Sequence, residues 1–177
     1  MTLRPNDLHL VFARGPNRLK VFDAKGKLLL NVECRNKTVR DNERWGHWGP
    51  CPPGTYVLAE PVKANTPPFG PWFIRMGDWA ECQAMHAYRR EGIGLHGGGS
   101  GLPNPMASHQ SPPFVVTHGC LRLVNFDLEA VVKKVQASQK RGGMAYITVE
   151  EPVPGAPTAE AEDDYLDVPV EELAPGE

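Results

Sequence analysis

The chain contains no apolar run long enough to cross a bilayer as a helix, no CxxC pair and no internal repeat. The first absence excludes insertion into a membrane by a helix. The second makes a zinc ribbon unattractive, because such sites pair their thiolates at that spacing. No Lys/Arg-rich stretch is interleaved with aromatics, so the footprint of a nucleic-acid binder is missing too. The opening residues, Met1 to Leu8, lack the uninterrupted apolar core of a cleavable export signal. Basic residues are absent from Glu151 onward, where nine acidic ones lie.

That last asymmetry hides behind a net charge of −2. The first 150 residues carry 19 basic and 12 acidic side chains, a net of +7. A basic body suits an anionic partner, although a solvated basic surface has the same composition. From Glu151 the chain is acidic, poor in apolar residues and punctuated by Pro152, Pro154, Pro157, Pro169 and Pro175. Such a segment buries too little surface to offset its ordering entropy. Residues 1–150 therefore read as one domain and 151–177 as a disordered tail, with Tyr165 to Val168 as a candidate docking segment within it.

Glycine and proline number 18 each, which favours short strands and turns over long helices. Strand patterns fall at residues 8–12, 19–22, 28–32, 55–58, 72–76 and 144–149. Gly26 marks a hairpin between the second and third, since glycine adopts positive φ freely. The clearest helix runs from Asp127 to about Arg141, with Leu128, Val131, Val132 and Val135 on one face. Asn125 or Asp127 can cap its start, and Gly142 suits its end. Residues 78–90 fit a short helix through Trp79, Cys82 and His86, whereas 35–48 and 97–113 read as loops. Trp45, Trp48, Trp72 and Trp79 are core or groove-lining aromatics.

The chemistry concentrates in Thr117-His118-Gly119-Cys120-Leu121-Arg122, followed by Asn125. Cys120 follows the apolar run Phe114-Val115-Val116 across Thr117-His118-Gly119, and His96 ends another, Ile93-Gly94-Leu95, just before Gly97-Gly98-Gly99. Two strand-like runs ending in a thiol and an imidazole supply the minimum for cysteine nucleophilic catalysis. A free cysteine is more often a packing thiol, but a His-Gly-Cys-x-Arg block has no packing rationale of its own. Arg122 offers a planar guanidinium able to grip a carboxylate in two places, or to make a structural ion pair. Thr117 and His118 shape the turn, and Asn125 fixes a loop or caps the helix. Cys82 and His86 stand four apart and could hold a metal only with further ligands, so no metal is expected. Cys34, Cys51 and Cys82 allow at most one internal disulfide if Cys120 stays free.

The pattern Leu95-His96-Gly97, then Thr117 to Arg122, then Asn125 and Asp127, resembles the signature of the L,D-transpeptidases, the YkuD-type catalytic domain. The likeness is tight over residues 93–127 and looser over 8–150. Pro53-Gly54-Thr55-Tyr56 is similar to the turn that precedes a core strand in that family. The resemblance implies a mainly β fold, a sandwich or curved sheet with one packed helix. It implies a peptidoglycan tetrapeptide as substrate and no cofactor. Cys120 would attack the carbonyl of the diamino acid's L-centre, His96 would serve as base, and the carbonyl of Gly97 would orient the imidazole. The N–H groups of Gly119 and Cys120 would receive the oxyanion, and carbapenems would acylate the thiol. Arg122, His118, Thr117 and Asn125 would bind substrate or organise the site.

One departure is the 20 residues between His96 and Thr117, more than the family usually has. They enlarge the loop over the site and introduce His109 as a competing base, although a Ser/Pro/Gly loop holds a base poorly. Three further readings stay open. Water rather than an amine could resolve the thioester, giving a carboxypeptidase or wall-degrading peptidase. The chain could be a wall-binding or particle-structural module without turnover. A substrate at the cell wall, with no export signal in view, leaves a processed form, export without a cleavable signal, or delivery by a phage particle or secretion machine.

Overall fold

The computed structural model describes residues 1–36, 38, 49–77, 90, 92–99, 102, 104–107 and 117–151. Among these, β1 (Leu8–Ala13), β2 (Arg18–Asp23), β3 (Leu28–Glu33), β4 (Gly54–Val57) and β9 (Ala145–Val149) form a five-stranded sheet in the order β3-β2-β1-β9-β4. A second sheet orders β5 (Val62–Thr66), β6 (Gly70–Arg75), β7 (Gly94–His96) and β8 (Leu121–Arg122) as β5-β6-β7-β8. The pairs β1–β9 and β7–β8 are parallel, and the others are antiparallel. One helix, α1 (Asn125–Lys140), links β8 to β9. The chain is thus mainly β with a single packed helix among the described residues, as its composition leads one to expect.

Period-two alternation explains the first sheet. Leu8, Leu10 and Phe12 of β1, Leu19 and Val21 of β2, and Ala145, Ile147 and Val149 of β9 all face inward and are buried. Register keeps them together, with Leu10 opposite Val21 on one side and Ile147 on the other. Each of the larger ones, leaving Ala145 aside, stabilises the fold by roughly 1.5–3 kcal/mol relative to exposure. At the β2–β3 turn, Asp23 Oδ1 accepts the N–H groups of Lys25 and Lys27, both at 2.9 Å, and Gly26 takes φ +79°.

The helix buries Leu128, Val131, Val132 and Val135, the face its spacing predicts, and rests chiefly on β6. It ends where Gly142 turns to φ +74°, with its N–H bonded to Gln139 O at 2.9 Å. Its start differs from the sequence expectation. Neither Asn125 nor Asp127 caps it, because Val124 occupies that position and makes no side-chain cap. Asn125 is committed to tertiary contacts instead. Strand β5 was not anticipated, since Val62-Lys63-Ala64-Asn65-Thr66 is an exposed edge with no alternation. Trp72 is partly buried against the core.

No described helix is long and apolar enough to cross a membrane. The expectations for residues 78–89 of the 78–90 helix, the Phe114 run, Trp45, Trp48, Trp79, Cys82, His86, His109 and the acidic tail from residue 152 lie outside the described residues.

Candidate functional site

The parallel pair β7–β8 brings the two halves of the motif together. His96 is the register partner of Arg122, and Leu123 N–H donates to His96 O at 2.9 Å. Register partners share a face of the sheet. Cys120 immediately precedes β8, and the Arg122 cation acts electrostatically on both Cys120 and His96. His96, Cys120 and Arg122 are 2%, 9% and 5% exposed, so the group is buried rather than a surface patch.

His96 is held on three sides. Its Nδ1 lies 2.7 Å from Gly97 O, an acceptor that fixes the proton on Nδ1 and leaves Nε2 with its lone pair. Phe69 meets the ring edge-on at 5.2 Å between centroids, and Phe73 stacks at 6.2 Å. Burial, then the neighbouring Arg122 cation, push the imidazole down to about 3, against a smaller opposing effect of the Gly97 carbonyl. The ring is neutral at neutral pH.

The glycines after it permit close packing. Gly97 N–H donates to Phe69 O at 3.1 Å and Gly99 N–H to Pro67 O at 2.7 Å. A side chain on Gly97 would collide with Asn125 Oδ1. Asn125 is fully buried. Its Oδ1 accepts from Gly98 N–H at 3.0 Å, and its Nδ2 donates to Pro105 O at 2.9 Å and Ala107 O at 2.7 Å. Of its two expected tasks it therefore performs the first, tying the loop after His96 to the start of α1.

The 117–120 turn is fastened mainly through its carbonyls. Thr117 Oγ1 donates to Cys120 O at 2.9 Å and accepts from Gly119 N–H at 3.2 Å. His118 is exposed, and its carbonyl accepts from Arg90 Nη2 at 2.6 Å. Gly119 takes φ +110°, a region that excludes ordinary side chains, and a Cβ there would strike Arg90 Nη2. Asn36 Nδ2 bonds Gly119 O at 2.8 Å and Cys120 O at 3.0 Å.

The Cys120 sulfur lies 3.8 Å from Gly92 O. Burial raises its pKa, outweighing a backbone hydrogen bond from Gly94 and the cations Arg122 and Arg90. A thiol is therefore the resting form. Arg122 is itself lowered to about 10 by burial, with Cys120 acting in the opposite sense. Such a buried guanidinium acts on His96 and Cys120 more directly than on solvent. A substrate carboxylate would have to enter the pocket to meet it.

Arg90 and Asn36 belong to this site and were not singled out from the sequence. Arg90 is 2% exposed, with Nη1 3.3 Å from Pro50 O. Asn36 comes from a polar stretch read as a loop and Arg90 from the end of the 78–90 helix pattern, where nothing marks it as functional, so only their long-range contacts reveal them. Cys34 and Cys51 are free and buried, and burial pushes Cys51 up to about 12. Among the described residues no three His, Cys, Asp or Glu side chains converge as metal ligands.

Comparison with known proteins agrees with this architecture. Solved structures that resemble the chain include Bd1075 of Bdellovibrio bacteriovorus, at 14% identity and TM-score 0.58 over 82% of this chain and 48% of that one. The helical cell shape determining protein Pgp2 of Campylobacter jejuni matches at 18% identity and TM-score 0.54 over 82% and 48%. An L,D-transpeptidase (Yku) of Stackebrandtia nassauensis matches at 14% identity and TM-score 0.50 over 84% and 57%. The chain thus spans about half the length of these proteins, and the likeness is one of fold. No curated protein matches it significantly. The family model of the L,D-transpeptidase catalytic domain, YkuD, matches residues 15–157, most of the chain and all of the buried group just described. The chain belongs to the YkuD family of L,D-transpeptidase catalytic domains.

Proposed function

We propose that the protein acts on peptidoglycan tetrapeptide stems as a cysteine-dependent L,D-transpeptidase. What supports the reading most is the disposition of His96. Its Nδ1 is occupied by Gly97 O at 2.7 Å, so Nε2 is the nitrogen left for proton transfer, beside Arg122, whose cation acts on both His96 and Cys120.

In the proposed reaction the Cys120 sulfur attacks the carbonyl of the diamino acid's L-centre. Its proton passes to His96 Nε2 as the S–C bond forms, because both groups rest uncharged. The carbonyl oxygen becomes an oxyanion. Cys120 N–H is the primary donor to it, since Gly119 N–H is already bonded to Thr117 Oγ1. The C–N bond to D-Ala then breaks, and the departing amine takes the proton from His96. A thioester remains on Cys120. The amine of a second stem attacks it, His96 accepts that amine's proton, and collapse yields the cross-link and the free thiol. Gly97 orients the base, Arg122 sets the charge of the pocket, and Thr117, His118, Gly119 and Asn125 hold the turn and loop. No step needs a cofactor. The same thiol would be acylated by carbapenems, and the site of action is the cell wall.

The test is mass spectrometry of purified muropeptide tetrapeptides incubated with wild type and Cys120→Ala. Cysteine-dependent loss of D-Ala with dimer formation is expected. Loss of D-Ala without dimers would make water the acceptor and the protein a carboxypeptidase. No change with either protein would leave a wall-binding or structural module.

A further inference from the structure

The side chain of Asn36 occupies an unusual place. It is 6% exposed and lies between two segments, residues 51 and 119–120. Its Oδ1 accepts from Cys51 N–H at 2.8 Å and from Arg14 Nη2 at 3.1 Å. Arg14 Nη2 is anchored in turn on Cys51 O at 2.6 Å. Its Nδ2 donates to Gly119 O at 2.8 Å and Cys120 O at 3.0 Å. Only one orientation of the amide satisfies all four contacts, because exchanging O and N would set an oxygen against two carbonyls.

The consequence follows from peptide geometry. In a planar trans peptide the C=O and the next N–H point in opposite directions. Drawing Gly119 O toward Asn36 therefore aims Cys120 N–H away from it. No described residue accepts a hydrogen bond from Cys120 N–H. The peptide on the other side of Cys120 is pinned as well, by Asn36 and Thr117 on Cys120 O. A donor that is rigidly aimed and not already bonded is what an oxyanion requires.

We infer that Asn36, anchored by Arg14 and Cys51, is a positioning residue that presents the Cys120 N–H as oxyanion donor. The inference rests on Cys120 being the nucleophile proposed above. It separates two properties of the site, the reactivity of the sulfur and the capture of a tetrahedral oxygen. Asn36 would govern the second and barely touch the first.

Two reactions of the same thiol distinguish them. Alkylation by iodoacetamide forms an S–C bond and expels iodide, with no carbonyl oxygen taking up charge. Acylation by a carbapenem opens a carbonyl through a tetrahedral oxyanion. Both rates can be read by intact-protein mass spectrometry on the full chain for wild type, Asn36→Leu and Asn36→Asp, with melting curves alongside. Asn36→Asp keeps the shape and the Arg14 contact but sets an oxygen against two carbonyls, so Asn36→Ala, which removes the donor without that repulsion, replaces either variant that fails to melt cooperatively. Acylation is expected to fall on the order of 10²-fold, as for loss of an oxyanion donor, while alkylation stays within about 3-fold. With tetrapeptide the loss should fall on kcat rather than KM. Equal losses in both reactions would reduce Asn36 to a structural support of the turn, and unchanged acylation in a folded variant would remove its role altogether. A wild-type thiol that alkylates but is never acylated would instead sink the proposed enzyme function.

Discussion

Acid should destabilise the fold through His96, and the size of the effect follows from its burial. The imidazole is 2% exposed and pushed down to about 3 from an ordinary 6.5. Above the ordinary value it is neutral whether the chain is folded or not, and it adds no pH dependence there. Between that value and about 3, the unfolded chain binds a proton that the folded chain refuses. The unfolded state then holds more protons, so stability falls as pH falls, by about 1.4 kcal/mol per unit. At about pH 4.5 the loss reaches ~2.7 kcal/mol, a large part of a typical domain stability of roughly 5–15 kcal/mol. Urea unfolding of wild type and His96→Gln between about pH 7.5 and pH 4.5 isolates this contribution, because groups common to both, such as Asp7 and His9, cancel in the difference. The variant is expected to lose less stability over that range by about 2–3 kcal/mol. Parallel curves would mean that the folded chain accepts the proton on His96, and the picture of a buried neutral base would be wrong.

Two further outcomes follow from close contacts. Gly119→Ala puts a methyl group at φ +110° and against Arg90 Nη2, with Gly49 O 3.1 Å away. We expect a loss of about 2–4 kcal/mol in denaturant unfolding together with a collapse of D-Ala release; unaltered turnover would show that the turn relaxes freely. Asn125→Ala removes three hydrogen bonds from a fully buried side chain. At about 1 kcal/mol each the stability cost is ~3 kcal/mol, with a raised KM for tetrapeptide. Asn125→Asp should do no better, because a second oxygen would face the carbonyls of Pro105 and Ala107, and wild-type stability in that variant would contradict the assigned bonds.

The parts of this protein legible in its sequence are those governed by local rules. Leu8, Leu10 and Phe12 announce β1 by alternation, and Leu128, Val131, Val132 and Val135 announce α1 by their spacing. Strand β5 escaped because an exposed edge has no inward face to pattern, as Val62 at 55% exposure illustrates. The helix start was misjudged by two residues because Asn125, a plausible cap by type, spends its amide on Gly98, Pro105 and Ala107. In the candidate site, His96, Cys120 and Arg122 stand out because glycines beside them mark turns where reactive side chains are held. Asn36 and Arg90 do not. Asn36 acts on a residue 83 positions away, and no property of the Arg35–Trp48 segment signals that meeting. Polar side chains that brace a backbone from a distance leave no periodicity behind.

The electrostatics of the pocket give those braces a common purpose in the proposed reaction. Arg122 and Arg90 both favour negative charge at Cys120, and Arg122 disfavours positive charge on His96. Burial opposes charge on either group, so the pair rests as thiol and imidazole. A tetrahedral oxyanion is the one species that this field welcomes, since it is negative and is offered the Cys120 N–H. The imidazolium formed beside it is a strong acid for the same reason that His96 is a reluctant base. It would surrender its proton readily to the departing D-Ala amine, which must be protonated to leave. A site that made His96 more basic would ease the attack and hinder the expulsion. The buried cations thus trade some ease of deprotonation for a stabilised intermediate and a prompt acid, which is the sequence of demands that acyl transfer to a thiol imposes.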